Sequence, residues 1–531
     1  MRLAAVLFLV ACSSQPKPPA PTPAPGSATG SAQPASIELP PAKAPKLVVL
    51  VVIDQWPQWA FVEKRPHLTK GFARLLRDGE WHTGRHPSAA TLTAPGHALL
   101  GTGEPTATSG IISNEWWSRE GARVIKAVEA LDGSIGAHHL RVPALGDAMA
   151  VANQGAKAVG VSLKDRAAIL PIGKPGLALW YDKKTGKFTS NKPPAWLAKL
   201  PSIKSRLDEP WTPLDAAKQL SKTTDDQKGE VGMKGFGPTF PHAAKKTKEA
   251  LDAVFAMPLG NEIVFETALA AIDHEQLGAD ASPDLLVLSL SAHDYVAHGW
   301  GHESWEAWDM TLRLDEQLGS FLEALDTKLG DTWAMIATSD HGGARLPERT
   351  GGGRIAYEDI EDAANRAAAL ELGAGKWIVS AKYPSVVLAP AALAHKKRDQ
   401  AVNKIILAIK AFPGIELAAR TVDYAGNCDK RTGDAFAICL ALDIERSGEI
   451  FYLPKRNWIL EERDERLATA HGSLHDYDRD VPVIMLAPGR VSHAAQTAPS
   501  NATIQMVRIA TVIARWLGVT PPSTLARLPA P

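Results

Sequence analysis

Leu47-Val48-Val49-Leu50-Val51-Val52-Ile53-Asp54 is the stretch on which the reading of the fold turns. An unbroken, valine-rich apolar run predicts a strand covered on both faces, as in a parallel sheet packed between helices. It ends directly in an aspartate. The pattern recurs at Leu285–Leu290 before Ser291-Ala292-His293-Asp294, at Trp333–Thr338 before Ser339-Asp340-His341-Gly342-Gly343, and at Ala156–Leu163 before Lys164-Asp165-Arg166, with Val483–Leu486 as a fifth candidate. Between the second and third runs, Met310, Leu314, Leu318, Phe321, Leu322 and Leu325 fall on one helical stripe. Strands alternating with such helices predict an α/β fold with a doubly wound, mostly parallel sheet and helices on both faces.

In open α/β sheets ligands bind outside the carboxyl ends of the strands. Asp54, Asp294, Asp340, His341 and Lys164 all fall at that end of an expected strand, which predicts a single crevice lined by carboxylates and imidazoles. Asp294 and His298 are four apart, so a helical turn puts them on one face, although such a pair alone is more often a surface contact. Asp340 and His341 are adjacent and can serve one site only if the chain turns sharply, which Gly342 and Gly343 allow. His471, followed by Gly472, offers a third imidazole from another turn. Three Asp and three His form a mixed nitrogen and oxygen donor set that suits zinc and can close two sites around one substrate.

Composition narrows the alternatives. The 531 residues carry 58 basic and 58 acidic side chains, and a charged fraction of 22% favours neither a disordered acidic chain nor a generally basic nucleic-acid binder. The 3 cysteines have no CxxC spacing, so metal ligation falls to His and carboxylates. Met1 and Arg2 precede an apolar run to Ala11 that reads as a signal peptide, residues 1–11. Leu9-Val10-Ala11-Cys12 matches a bacterial lipobox, which predicts a lipidated Cys12, a membrane anchor, and export to face the periplasm or outer membrane. The alternative is an ordinary secretory signal and a soluble periplasmic protein. Residues 12–45, rich in Pro, Ala and Ser, read as an extended tether, and the folded part starts near Lys46. In an exported chain Cys428 and Cys439 form either a local disulfide, which the compartment favours, or two free thiols.

Four stretches carry a family likeness: VVIDQ with Asp54; TLTAPGHALLGTGEPTATSGIISNEWW with Thr93 and Asn114; SLKDRAAILP with Lys164 and Arg166; and DYVAHGWG with TSDHGG and TAHGSLHDYD. In this order they resemble the alkaline phosphatase superfamily, specifically the phosphate-irrepressible bacterial alkaline phosphatases similar to nucleotide pyrophosphatase/phosphodiesterases. The resemblance implies two Zn2+ per chain, one held by Asp294, His298 and His471, the other by Asp54, Asp340 and His341. It implies Thr93 as the nucleophile between them, forming a phosphothreonine, with Asn114, Lys164 and Arg166 on the phosphoryl oxygens. Thr93 before Ala94-Pro95-Gly96 also reads as a helix N-cap. Ser88 and Thr91 are rival hydroxyls.

The Lys-x-Arg pair resembles the monoesterase branch. With two zinc ions and three aspartates it leaves a formal excess of about two to three positive charges, which a phosphate monoester dianion neutralises better than a diester monoanion. The expectation is therefore a phosphomonoesterase acting on small-molecule phosphate monoesters, with no nucleic-acid partner. The alternatives are a phosphodiesterase or nucleotide pyrophosphatase of the same superfamily, or a non-catalytic binding lipoprotein. A sulfatase would need a Cys/Ser-x-Pro-x-Arg setting that is missing near Thr93. The catalytic unit is expected over 46–525, with inserted cap segments at about 115–255 and 345–465. Trp116 and Trp117 read as core or as an aromatic wall, and His302 and His475 as supporting residues or solvated loop histidines. His97 is read as packing the helix after Thr93.

Overall fold

In the computed structural model, which describes residues 44–152, 155–487 and 500–523, Leu47–Ile53 is strand β1 and every residue of it is buried. Alternate side chains feed two different cores: Leu47, Val49, Val51 and Ile53 face one, Val48, Leu50 and Val52 the other. The run lacks polar interruptions because neither face meets water. The signal peptide, Cys12 and the tether up to residue 43 lie outside the described residues, and among those described no helix is long and apolar enough to cross a membrane.

The main sheet adds β2 (Glu80–Arg85), β3 (Ala158–Ser162), β4 (Leu177–Asp182), β5 (Lys187–Thr189), β6 (Asp284–Leu290), β7 (Trp333–Thr338), β8 (Asp480–Leu486) and β9 (Ser500–Gln505). Its 9 strands run in the order β9-β2-β8-β7-β1-β6-β3-β4-β5. Most pairings are parallel. β8, however, is antiparallel to both β7 and β2, and β5 is antiparallel to β4. This reversal matters for the site. The chain approaches the carboxyl end of β7 as it enters β8, so His471 arrives ahead of a strand where Asp54, Asp294 and Asp340 each follow one.

One face is covered by α3 (Pro258–Glu275), α4 (Ala292–Trp300) and α5 (Trp305–Leu329), the other by α1 (Thr93–Thr102), α2 (Asp165–Ile169) and α6 (Arg508–Trp516). α5 is the expected striped helix, with Met310, Leu314, Leu318, Phe321, Leu322 and Leu325 all buried. Ser304 caps it by accepting from Ala307 N at 3.0 Å.

Residues 115–255 do not form a separate cap, since β3, β4 and β5 fall inside that stretch and belong to the main sheet. Its remainder packs Trp196, Trp211, Phe236 and Phe255 onto the core under α5. Residues 345–465 hold a four-stranded antiparallel sheet, Ile378–Ser380, Ser385–Leu388, Ile450–Pro454 and Ile415–Arg420, with its own apolar core. Cys428 and Cys439 are disulfide-bonded there.

The first turn of α5 carries a buried acid. Glu306 Oε1 lies 2.9 Å from His242 Nε2, and the imidazole is ringed by Trp211, Phe236, Phe240 and Trp300. Burial pushes the carboxyl up to about 9 and the imidazole down to about 3, so the proton stays on Glu306. A carboxyl raised on folding contributes stability that is complete below its unfolded value and is lost as pH rises towards 9. Glu306→Gln cannot ionise. Its unfolding free energy relative to wild type should therefore rise by about 2–5 kcal/mol between pH 5 and pH 9, measured by denaturant titration at both pH values; a constant difference would exclude the buried neutral acid.

Candidate metal centre and active site

Asp54 follows β1 directly, and Gln55 turns the chain away with a left-handed φ of 56°. Asp294 and His298 lie one turn apart on α4, as their spacing predicts. Asp340 and His341 follow β7, and His471 lies in the segment entering β8. The fold brings these residues into two triads, Asp294, His298 and His471, and Asp54, Asp340 and His341, each with ligand atoms within 4.8 Å of one another. The triads adjoin, because the His341 and His471 rings stack with centroids 3.6 Å apart.

The tautomers are set by what surrounds each ring. His298 Nδ1 donates to Thr469 O at 2.8 Å, His341 Nδ1 to Gly342 O at 2.9 Å, and His471 Nδ1 to Thr91 O at 2.8 Å. A carbonyl only accepts, so each Nδ1 carries a hydrogen, and Nε2 is the nitrogen left to present a lone pair once the ring is neutral. Those lone pairs face carboxylate oxygens: His298 Nε2 is 3.1 Å and His471 Nε2 3.6 Å from Asp294 Oδ1, and His341 Nε2 is 3.5 Å from Asp54 Oδ1. Asp54 Oδ1, Asp294 Oδ1, Asp340 Oδ2 and His341 Nε2 are buried without a hydrogen-bond partner. Acceptors facing acceptors in a dry site call for cations, and this donor set fits them.

The charges say the same. Three buried aspartates lie near one buried ammonium, that of Lys164, which contacts Asp54 and Asp294. Burial together with the neighbouring Asp294 and Asp340 holds the Asp54 carboxyl well above its ordinary range. Burial works against ionisation of Asp294 and Asp340 too, but Lys164 with His298 pulls the first, and His341 with His97 the second, well below the usual carboxylate range. Burial, reinforced at His471 by the neighbouring His341, keeps the His341 and His471 rings neutral, as ligands must be.

Thr93 opens α1, and here the structure corrects the expected cap. Thr93 is the first helical residue, preceded by Leu92 at the cap position, with no side-chain capping bond. Its hydroxyl is not spent on the helix. Thr93 is flanked by contacts to both triads: Thr91 O accepts from His471, and His97, one turn on, lies 3.1 Å from Asp340 Oδ2 while bonding Thr93 O at 2.9 Å and Ser289 Oγ at 2.9 Å. The packing role read for His97 thus misses its contact with Asp340, although the i, i+4 spacing from Thr93 was visible. Asn114 Oδ1 accepts from Ala94 N at 2.8 Å, which leaves the amide NH2 as its donor end. Asn114 and Arg166 line a cavity of about 310 Å3 with Lys126, Tyr357, Lys382 and Tyr383. Lys164 is not at the mouth. It is buried, with Nζ 2.6 Å from both Asp54 Oδ2 and Asp294 Oδ2.

Among the rivals, Thr91 Oγ1 donates to Ser473 O at 3.0 Å and Ser88 Oγ accepts from Ala90 N at 3.3 Å. His302 is buried rather than solvated, edge-on to Trp59, and His475 lies outside the triads. Trp116 packs in the core and Trp117 is half-buried on the same hairpin. The cavity lining includes a group that the sequence did not single out: Lys382 bridges Glu115 and Glu462.

Residues 48–478 match the model of the type I phosphodiesterase/nucleotide pyrophosphatase family. The chain is 28% identical over 519 residues to alkaline phosphatase PafA of Elizabethkingia meningoseptica, covering 90% of this chain and 92% of that protein. It is 29% identical to alkaline phosphatase PhoK of a Sphingomonas species over 84% and 85% of the two chains. The crystal structure of PafA superposes with a TM-score of 0.79 at 26% identity over 91% of this chain and 97% of that one. A PafA variant altered at one threonine, one asparagine, one lysine and one arginine superposes equally well, with a TM-score of 0.80 at 25% identity over 90% and 97%. With two adjoining triads at the carboxyl edge of the sheet and a match that spans nearly all of the folded part, the chain belongs to the type I phosphodiesterase/nucleotide pyrophosphatase family, within the alkaline phosphatase superfamily.

Proposed function

We propose that this chain is a zinc-dependent phosphate monoester hydrolase of the alkaline phosphatase type, acting through a phosphothreonine on Thr93. The observation that carries the reading is the pair of adjoining triads, in which Asp54 Oδ1, Asp294 Oδ1, Asp340 Oδ2 and His341 Nε2 are buried and unpartnered, flanking an uncommitted threonine at a helix start. The relatives PafA and PhoK, both named alkaline phosphatases, support it. So does the PafA variant, whose altered residues match Thr93, Asn114, Lys164 and Arg166 in type and in the separations within each pair.

Asp294, His298 and His471 would hold one ion and Asp54, Asp340 and His341 the other. Bound there, the ions supply Lewis-acid charge that acidifies a hydroxyl and stabilises a departing oxygen. The chain's own residues do the positioning. Thr93 Oγ1 attacks phosphorus in line, and the free amides at the start of α1 favour the developing anion. Asn114, held by Ala94 N, donates its NH2 to a phosphoryl oxygen. Lys164 has three donors and spends two on Asp54 and Asp294, so one remains for the substrate. Arg166, whose Nε has no partner, supplies the further cation that favours a dianion.

Turnover of an aryl monoester and an aryl diester by metal-loaded protein tests this, and a diester preference would overturn it. Arg166→Ala should lose about 2–4 kcal/mol of transition-state stabilisation on monoesters and much less on diesters. Equal losses would make Arg166 structural.

A further inference from the structure

We propose that Lys164 is a strut between the two ligand triads: a positioning residue that holds one carboxylate oxygen from each, and the counter-ion that keeps the metal-free site folded. The inference rests on reading the triads as a metal centre. Lys164 follows β3, Asp294 follows β6 and Asp54 follows β1, and these strands are neighbours in the sheet. One side chain reaching across two strands places Nζ 2.6 Å from Asp294 Oδ2 and 2.6 Å from Asp54 Oδ2. Its remaining surroundings include the Tyr295 ring, 5.0 Å away, and the residue is only 4% exposed.

Each carboxylate is divided between two tasks. Oδ2 goes to Lys164, while Oδ1 turns to the imidazoles of its own triad and has no hydrogen-bond partner. The terminal torsion of an aspartate is broad and roughly two-fold. Tying down both Oδ2 atoms with one ammonium therefore aims both Oδ1 atoms at once and links the orientation of one triad to that of the other. The ammonium is also the nearest buried positive charge to two buried carboxylates, and removing one partner of a buried ion pair leaves the other uncompensated.

The test compares wild type, Lys164→Met, Asp54→Asn and the double variant, each stripped with a chelator and then reloaded with zinc. Metal content and thermal midpoint are measured in both forms. Lys164→Met should lower the midpoint of the metal-free form by about 5 °C or more and that of the zinc-loaded form much less. Asp54→Asn in the same chain should restore a large part of the loss, because it removes one of the two carboxyl groups that Lys164 holds. A Lys164→Met protein that folds only with zinc is the same result in extreme form. Equal shifts in the two forms, additive effects in the double variant, or a failure to fold that Asp54→Asn does not rescue would overturn the strut. Wild type that takes up no zinc would instead overturn the metal centre, leaving Lys164 to be judged on the metal-free cycle alone.

Discussion

Thr93→Ala should cut phosphate-ester turnover by about 10⁴-fold or more, the scale seen when a covalent nucleophile is removed, while the protein stays folded and metal-loaded. The second half of that expectation comes from the geometry. Thr93 makes no capping bond, so losing its hydroxyl costs the helix little, and none of the six triad side chains depends on it. Thr93→Ser should recover a large part of the activity, since a hydroxyl returns to the same backbone position. Thr91→Ala is the informative comparison. Its hydroxyl is committed to Ser473 O, and what links residue 91 to the site is the backbone carbonyl that receives His471 Nδ1. Thr91→Ala should therefore keep most of the turnover. Rapid-quench trapping of phosphorylated protein should detect label on wild type and none on Thr93→Ala. An alanine variant with near-wild-type turnover would remove Thr93 from the chemistry altogether.

What the sequence revealed about this site depended on which physical signal was local. A strand buried on both faces must be apolar throughout, so β1, β6 and β7 declared themselves as runs, and the first polar residue after each was a member of a triad or lay close to one in sequence. Asp294 and His298 were legible because one helical turn relates them. β4 and β5 were not: β5, the edge strand, is three residues of mixed polarity, and β4 beside it ends in a residue that belongs to neither triad. The direction of β8 was hidden too. Its run reads the same either way, and only pairing with β7 shows that its entry lies at the site. The position of Lys164 was the least accessible. It contacts residues 110 and 130 positions away, and nothing in a lysine after a strand says whether it turns outwards to substrate or inwards across two neighbouring strands.

The inward turn of Lys164 bears on how the centre manages its charge. Arg166, two residues on, lines the cavity that Asn114 also lines, so the Lys-x-Arg pair sends one cation across the sheet to Asp54 and Asp294 and the other to the cavity. The local excess of positive charge expected for a phosphate dianion thus depends on bound metal. On the proposed reading the metal-free site lacks that excess, because Lys164 is already shared between Asp54 and Asp294.

Asp294→Asn should reduce metal content from about two ions per chain to about one and lower turnover by about 10³-fold or more. Asp294 is the residue on which the first triad converges, with Oδ1 3.1 Å from His298 Nε2 and 3.6 Å from His471 Nε2. Two imidazoles alone do not close a tetrahedral site, and the amide keeps the shape of the side chain while removing its charge. Any loss therefore cannot be assigned to a cavity. Stability has to be separated from ligation, because the carboxyl of Asp294 is held well below its ordinary value by Lys164 and His298 in spite of burial. A carboxyl depressed on folding stabilises the native state above its unfolded value and ceases to do so as pH falls through the folded one. The asparagine variant should accordingly melt at a lower temperature at pH 7, with the difference shrinking in acid. Metal bound per folded chain is thus the deciding readout, and the second triad, which shares no ligand with the first, should retain its ion. An Asp294→Asn protein that keeps both ions and its turnover would show that this triad is not a metal site, whereas loss of both ions would show that the second triad does not hold its ion alone.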